Sequence, residues 1–175
     1  NPIELPDEFI NFLASSKKFC PHFHLSLQSC CDKTLKAMNR LYTADRIKQL
    51  VFLINEKFNL PFIGADIITG FPGETEEDFE TAANNLEALP LSKMHIFPYS
   101  RRKGTAADKM PGQVKEEEKK RRSQILHQIS CGKMKNFLNK NIGAETEIII
   151  EKKRDKKTGL LTGHSRNYIT LLTDG

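Results

Sequence analysis

Long apolar runs and leader-like segments are missing from this sequence of 175 residues. No stretch approaches the roughly 18 apolar residues that a membrane-spanning helix needs, and the first residues lack the charged start and apolar core of a signal peptide. These features predict a cytoplasmic protein that does not enter a membrane. The hydrophobic fraction of 38% suffices for a buried core, in one domain or in one domain with a small appendage.

Paired cysteines are also missing. The four cysteines, Cys20, Cys30, Cys31 and Cys131, form neither a C-x-x-C pair nor a ferredoxin-like C-x-x-x-C-x-x-C run, so no metal site is predicted. Adjacent cysteines are poorly placed for a mutual disulfide, and a cytosolic setting disfavours disulfides. The sequence therefore favours reduced thiols with a structural role.

Positive charge is scarce in the first part of the chain and abundant in the last. Residues 1–100 carry nine Lys and Arg against thirteen Asp and Glu, and residues 101–175 carry eighteen against nine. The basic part is a candidate nucleic-acid surface, because Lys and Arg neutralise phosphates. A solvated helix with a charged loop explains the charge equally well.

The first part of the chain alternates strand-like and helix-like segments. The pattern predicts strands at 22–27, 62–68 and 94–97, and helices at 6–16, 32–38, after Thr43 to about Phe58, and from Thr75. The nearly uninterrupted apolar run at 62–68 is typical of a strand covered on both faces. Such short connections imply crossover units in a parallel sheet, so this part is α/β.

A change of pattern follows residue 97. A loop at 98–112 precedes one long charged helix at about 114–141, and three short strands are predicted at 145–150, 160–164 and 168–172. We therefore predict two units, one at residues 1–141 and a small β unit at 142–175.

Two features of the second predicted strand point to chemistry. The turn at 70–75 directly follows the strand and precedes a helix, which is where ligands bind in parallel α/β folds, although a tight turn also explains it. Asp66 lies within the apolar strand, where a carboxylate is costly unless it is paired. A ribose diol or an ammonium group would serve as its partner, and so would an internal salt bridge.

Several motifs together resemble the later half of the barrel in radical S-adenosylmethionine (SAM) methylthiotransferases. They are Leu27–Gln28–Ser29, Leu35, Met38–Asn39–Arg40 and residues 66–74. Residues 95–100, Arg102, Gly104–Thr105, Ala107 and Met110 resemble the segment after the next strand of that family, and residues 163–168 resemble the RNA-binding TRAM domain. The resemblance implies a partial (β/α) radical SAM barrel followed by a long helix and a small β unit of the TRAM or OB type.

The resemblance also implies a SAM site. It places Gln28, Arg40 and Asp66 against SAM, with Arg40 on the methionine carboxylate and Asp66 on the ribose or amine. The backbone of Gly70, Phe71 and Pro72 would line the adenine side. His22 and His24 alternate with apolar residues; one of them would face the barrel interior, although structural histidines are the commoner outcome.

Two basic segments are candidate RNA contacts. Tyr99, Arg101, Arg102 and Lys103 combine an aromatic ring with three cations, which suits a nucleotide, although an exposed loop is the alternative. The TRAM resemblance implies a second set, Lys152, Lys153, Arg154, Lys156, Lys157, Arg166 and Tyr168. For the run at 119–122, the preceding glutamates favour a solvated charged face over RNA contact.

The chain departs from the family pattern in its missing parts. The family holds one 4Fe–4S cluster on a C-x-x-x-C-x-x-C triad early in the barrel and a second on an N-terminal domain, and neither motif is in this sequence. Since the chain starts at Asn1 and leads directly into a helical segment, we expect upstream sequence, an exposed sheet edge and an incomplete SAM pocket. The TRAM-like part, which ends at Gly175, looks shortened, and Cys30 stands where the family usually has glycine.

The resulting hypothesis is part of an enzyme that adds a methylthio group to an adenosine beside a tRNA anticodon. Residues 97–100 and 110–114 look closest to the branch acting on threonylcarbamoyladenosine, with isopentenyladenosine and a ribosomal protein aspartate as the next candidates. The resemblance implies a 5′-deoxyadenosyl radical that takes hydrogen from adenine C2, with methyl from another SAM. The chain alone would be inactive, no catalytic residue is predicted in it, and an RNA-binding scaffold without catalysis is the alternative.

Overall fold

Three parallel strands form the first sheet of the protein, which a computed structural model describes from residue 2 to residue 174. They are β1 (His22–Gln28), β2 (Phe62–Thr69) and β3 (Lys93–Pro98), hydrogen-bonded in the order β1-β2-β3. The predicted parallel α/β arrangement is thus confirmed. Asn1 and Gly175, on which the expectations of upstream sequence and of a shortened TRAM-like part rest, lie outside the described residues.

Helices precede, connect and follow these strands. They are α1 (Asp7–Ser15), α2 (Asp32–Ala37), α3 (Ala44–Lys57), α4 (Glu76–Ala88) and α5 (Glu116–Asn141), with short 3₁₀ turns at Pro2–Glu4 and Ala106–Lys109. Thr43 caps α3 as predicted, and Thr75 forms a reciprocal capping box with Asp78 at the start of α4. Within residues 2–174, no helix is long and apolar enough to cross a membrane.

The hydrophobic core lies on one face of the parallel sheet. Alternate residues of β2, Ile63, Ala65 and Ile67, are buried in one cluster with side chains of α3, α4 and α5. On the other face Phe62, Asp66 and Ile68 are only partly buried, and Gly64 alone is buried. The prediction of a strand covered on both faces is therefore wrong, because the described helices cover a single face and leave the other open.

Helix α5 is fastened to that covered face by hydroxyl groups. Ser130 Oγ accepts the N–H of Met94 at 2.9 Å and donates to the Met94 carbonyl at 3.1 Å. Two turns from the start of the helix, Ser123 Oγ lies 2.8 Å from Thr69 Oγ1, and Leu126 is buried between these two attachments. These bonds fix the helix along β3 and the end of β2.

A separate antiparallel sheet follows α5. Its strands are β4 (Ile148–Arg154), β5 (Leu161–Ser165) and β6 (Thr170–Thr173), paired in sequence order. All three predicted strands exist, each starting one to three residues later than the periodicity suggested. Every residue of β4 is exposed, so this strand is an open edge. The TRAM-like character of the unit and the division at residue 142 stay predictions.

The antiparallel unit contacts the parallel sheet at the amino ends of its strands. Arg166 donates to the carbonyls of Lys17 and Phe19, and Asn167 donates to the carbonyl of Leu60 at 2.9 Å. The ring of Tyr168 lies 4.8 Å from that of His22, the first residue of β1. Among the described residues, no hydrogen bond joins this unit to the carboxyl ends of the parallel strands, which lie at the opposite end.

Candidate functional site

A cleft of about 540 Å³ lies at the carboxyl ends of the parallel strands, on the open face of the sheet. This volume is within the roughly 300–1,000 Å³ typical of small-molecule sites. Its principal lining residues come from all three strands and the loop that follows them: Gln28, Asp66, Ile68, Phe97, Tyr99 and Arg102. The cleft is therefore the part of the fold best placed to hold a ligand.

Gln28 ends β1 in an unusual backbone conformation. Its φ of 65° lies in the left-handed region, where a residue with a side chain is strained, and the pairing of β1 with β2 shifts register just before it. Strain of this kind is often retained where a side chain must be aimed at a ligand. The Gln28 amide makes no side-chain hydrogen bond with any described residue, so its donor and acceptor groups are available.

Asp66 has a partner within the protein. Its Oδ1 lies 2.8 Å from Nε2 of His24 on the neighbouring strand, and a quarter of its side chain is accessible. Asp66 thus has a partner inside the protein, which is what the sequence analysis offered as the alternative to a ligand. The other carboxylate oxygen has no hydrogen bond among residues 2–174, so the pairing leaves one free acceptor on a residue that lines the cleft.

Tyr99 forms the wall of the cleft and is held from several sides. Its N–H donates to the Thr69 carbonyl at 2.8 Å, and the Phe71 ring packs edge-on against its ring with centroids 5.3 Å apart. Lys119 Nζ donates to the Tyr99 carbonyl at 3.0 Å and lies 5.3 Å from the ring centroid. The hydroxyl of this fixed side chain is buried without a hydrogen-bond partner, which is costly unless a ligand satisfies it.

The turn at Gly70–Glu74 lies behind that wall. Gly70 donates its N–H to Glu74 Oε2 at 2.7 Å, and the same carboxylate pairs with Arg122 of α5 at 2.8 Å. Gly70, Phe71 and Pro72 do not line the cleft, and Phe71 reaches it only through Tyr99. The predicted contact of these three residues with adenine stays a prediction.

The Glu74–Arg122 pair is buried, with 2% and 5% of the two side chains accessible. Burial raises the pKa of the Glu74 carboxyl above its usual value, while the hydrogen bonds from Arg122 and Gly70 oppose that rise. Burial lowers the pKa of Arg122, but hydrogen bonds to Glu74 and Glu118 outweigh it and raise that pKa. Each partner thus opposes the cost of burying the other's charge, and the pair locks the turn to α5.

Arg40 lies apart from the cleft. It follows α2 and an Asn39 with a φ of 55°, and its exposed side chain makes no ion pair or hydrogen bond among the described residues. The structure therefore brings Gln28 and Asp66 together in one cleft but does not bring Arg40 into it. The predicted role of Arg40 at a carboxylate stays a prediction.

The predicted RNA-contact residues divide between the two ends of the parallel sheet. At the cleft end, Arg102 lines the cleft, Lys103 is exposed, and Arg101 is paired with Asp108 at 2.6 Å. At the other end, Arg166 and Tyr168 contact the amino ends of the strands. The remaining cations of the β unit lie on or next to β4 and are all exposed: Lys152, Lys153, Arg154, Lys156 and Lys157.

The basic run of α5 differs from the sequence interpretation. Lys119 and Arg122 are 3% and 4% exposed, so a fully solvated face is wrong, although Lys120 and Arg121 are exposed. A stripe at helical spacing marks the buried side: residues 119, 122, 123, 126, 130 and 137. The spacing of three and four residues could have predicted which side chains of α5 support Tyr99 and Glu74. It was hidden because the first residues of the stripe, Lys119 and Arg122, are charged.

The cysteines form no site. All four are free, and burial raises the pKa of the Cys30 thiol to about 12. Between residues 2 and 174, no group of three or more His, Cys, Asp or Glu side chains is arranged to hold a metal ion. The described residues therefore do not fit an iron–sulfur cluster.

Comparison with known proteins gives relatives along almost the whole chain. Residues 1–86 match the model of the radical SAM superfamily. The chain is 40% identical over 173 residues to the threonylcarbamoyladenosine tRNA methylthiotransferase MtaB of Aquifex aeolicus, covering 98% of this chain and 40% of that protein. It is 39% identical over 176 residues to the tRNA-2-methylthio-N(6)-dimethylallyladenosine synthase of Carboxydothermus hydrogenoformans, covering 100% of this chain and 40% of that protein.

A third relative is the MtaB protein of Rickettsia prowazekii, with 36% identity over 98% of this chain and 39% of that protein. The chain thus spans about two fifths of the length of the curated relatives it matches. The superfamily match covers β1 and β2, which carry Gln28 and Asp66, and the relatives extend it through the β unit. The chain belongs to the radical SAM tRNA methylthiotransferase family.

Proposed function

We propose that the chain is part of a cytoplasmic enzyme that adds a methylthio group at C2 of N6-threonylcarbamoyladenosine, next to the anticodon of a tRNA. In this proposal the chain contributes one wall of a SAM pocket and part of the grip on RNA. The observation that carries it is the cleft lined by Gln28, Asp66 and Tyr99, whose hydroxyl is buried without a hydrogen-bond partner. The name of the Aquifex relative supports the choice of nucleoside.

The side chains of the cleft fit SAM, which the family uses together with 4Fe–4S clusters. SAM offers an ammonium group, ribose hydroxyls and ring nitrogens. The free oxygen of Asp66 can accept from the ammonium or the ribose, and the Gln28 amide can both donate and accept. The Tyr99 hydroxyl, which is buried without a partner in the wall of the cleft, is the third group that we assign to such a ligand. When bound, SAM supplies the methyl group and the radical chemistry; these three residues bind and orient it.

The clusters are a different matter. The described residues offer no group of His, Cys, Asp or Glu side chains arranged to hold one. We propose that the Cys triad of the enzyme belongs to another part of the same protein, and that this chain alone does not catalyse methylthiolation.

Binding of tRNA is assigned to the two basic regions. Arg102 and Lys103 adjoin the cleft, so they would meet the anticodon loop around the modified adenosine. The cations around β4 would contact phosphates farther along the RNA.

Two other functions stay in competition. The similarity to the Carboxydothermus protein, at nearly the same identity, favours dimethylallyladenosine as the alternative nucleoside. A ribosomal protein substrate has no such support. An RNA-binding scaffold without catalysis would need neither the strained Gln28 nor the Asp66 carboxylate in the cleft.

Iron and sulfide content, with SAM cleavage under reduction, tests the proposal. We expect a protein extended upstream through a Cys triad to bind iron and sulfide and to cleave SAM, and this chain to do neither. If the extended protein also fails to bind a cluster, the radical-enzyme proposal is wrong and the scaffold becomes the better account. Mass spectrometry of tRNA nucleosides from cells lacking the protein would identify the modified adenosine.

Tyr99→Phe separates ligand binding from stability at the cleft. Removal of a buried hydroxyl without a partner is expected to leave the free energy of unfolding unchanged or up to about 1 kcal/mol higher. Affinity for SAM is expected to fall about tenfold, because the ligand loses one hydrogen bond. Urea unfolding and an NMR titration with SAM measure the two effects, and unchanged affinity would contradict a ligand role for this hydroxyl.

A further inference from the structure

A hydrogen-bonded pair of His24 and Asp66 crosses the open face of the parallel sheet. Nε2 of His24 lies 2.8 Å from Asp66 Oδ1, with 43% and 25% of the two side chains accessible. Asp66 is the one acidic residue in β1, β2 and β3, whereas three histidines and Lys93 stand in the same strands. This carboxylate lines the cleft; one of its oxygens meets an imidazole, and the other has no hydrogen-bond partner among the described residues.

Gly64 makes this pairing possible. It stands opposite His24 in the ladder, two residues before Asp66, so the imidazole must lean across it to reach the carboxylate. A Cβ at this position would lie 3.3 Å from His24 Nδ1 and 3.1 Å from a ring carbon of Phe62, both tighter than ordinary contacts. The absence of a side chain at residue 64 thus leaves the imidazole room to hold its orientation.

The chemistry of the pair fixes the direction of the hydrogen bond. Asp66 as a carboxylate only accepts, so Nε2 of His24 carries the proton and donates it. A carboxylate with one oxygen held in this way has lost its freedom to rotate, and its second oxygen keeps one direction. His95, opposite Asp66 in the ladder, has its ring 5.2 Å from that of His24 but no hydrogen bond to the carboxylate.

We propose that His24 is a positioning residue for ligand binding: it holds Asp66 so that the free carboxylate oxygen meets the ammonium group or a ribose hydroxyl of SAM. This inference rests on the proposed function, since it deepens the SAM site of the cleft. Because it acts through Asp66, His24 itself does not touch the ligand. The contribution of His24 to SAM binding depends on an N–H donor at the position of Nε2, and not on the charge or the aromatic ring of the imidazole.

The test is a set of variants titrated with SAM and followed by two-dimensional NMR, which also detects weak binding. His24→Phe keeps a ring of similar size but removes the donor, and SAM affinity is expected to fall at least about tenfold. His24→Gln restores a donor at the end of a flexible chain, and its affinity is expected within about threefold of the unmodified protein. His95→Phe is the matched control, because it removes an imidazole from the same face without removing a bond to Asp66.

Each outcome decides the proposal. If His24→Phe binds SAM as tightly as the unmodified protein, or if His24→Gln is as weak as His24→Phe, His24 does not act as the donor, while the SAM cleft itself stands. If His95→Phe weakens SAM binding as much as His24→Phe, the loss follows from removing any imidazole on the open face of the parallel sheet, and the inference is wrong. If the unmodified chain shows no shifts with SAM at Gln28, Asp66 or Tyr99, the proposed SAM wall and this inference both fail.

Discussion

Replacing Arg122 with methionine is expected to lower the free energy of unfolding by about 3–5 kcal/mol, because it leaves the Glu74 carboxylate buried without its counter-charge. Arg122 also donates to the Glu74 carbonyl at 3.1 Å and to Glu118 at 2.8 Å, so more than one bond is lost. After the replacement, burial of Glu74 is opposed only by the Gly70 N–H. Urea unfolding followed by circular dichroism measures the difference.

The effect should extend to the cleft. The Glu74 carboxylate joins α5 to the Gly70 N–H, and the next residue, Phe71, packs on the Tyr99 ring. Loss of the ion pair frees this turn, and the wall of the cleft loses its support. Amide hydrogen exchange in the Arg122→Met protein is therefore expected to rise at Gly70 and Tyr99 more than at the core residues of β1.

Arg121→Met is the matched control for this prediction. Arg121 is the next residue of the same helix and pairs with the same Glu118, but 45% of its side chain is accessible. An exposed pair contributes little, so a much smaller loss than for Arg122→Met is expected. Adding Glu74→Gln to Arg122→Met should recover part of the lost stability, because it removes the unpaired charge. A loss for Arg122→Met no larger than for Arg121→Met would contradict the role of the buried pair.

The helices and strands were predictable because their signals are local. Thr43 and Thr75 stand directly before apolar stripes, and both cap the helices that follow them. The run at Phe62–Thr69 is long and apolar enough to be a strand whatever surrounds it. What the run could not reveal is that only one of its faces is covered, since that depends on which other elements pack there.

The contacts of the site were harder to predict, because they join residues far apart in the sequence. Asp66 stood out as a carboxylate in an apolar strand, and Gln28 entered the prediction through the family resemblance; the structure places both in the cleft. The partner of Asp66 is His24, 42 positions earlier, and a register between strands is needed to see it. Nothing in the charge pattern distinguishes Arg166, which holds the β unit to the amino end of the sheet, from a cation free to bind RNA.

A methyl group added at Gly70 is expected to cost about 3 kcal/mol of unfolding free energy, from two causes. Gly70 has a φ of 70°, where alanine is strained by roughly 1 kcal/mol. The added Cβ would also clash with Cγ of Lys119, a side chain that is 3% exposed and cannot move aside freely. Gly70→Ala therefore pushes α5 away from the turn.

Gly73→Ala separates the two causes, because it shares one of them. Gly73 has a φ of 85° in the same turn, but a Cβ there would meet no atom within 4 Å. Backbone strain alone then predicts a loss of about 1 kcal/mol, measured by urea unfolding under the same conditions. Equal losses for the two variants would mean that Lys119 yields without cost.

The difference between the two variants should also appear at the cleft. Lys119 Nζ holds the Tyr99 carbonyl and lies over its ring, so displacing Lys119 moves the wall that carries the unpartnered hydroxyl. We expect Gly70→Ala to weaken SAM binding and to shift the Tyr99 amide resonance, and Gly73→Ala to do neither. A close approach of α5 to a bare glycine would then set the position of a ligand-binding side chain 29 residues farther along the sequence.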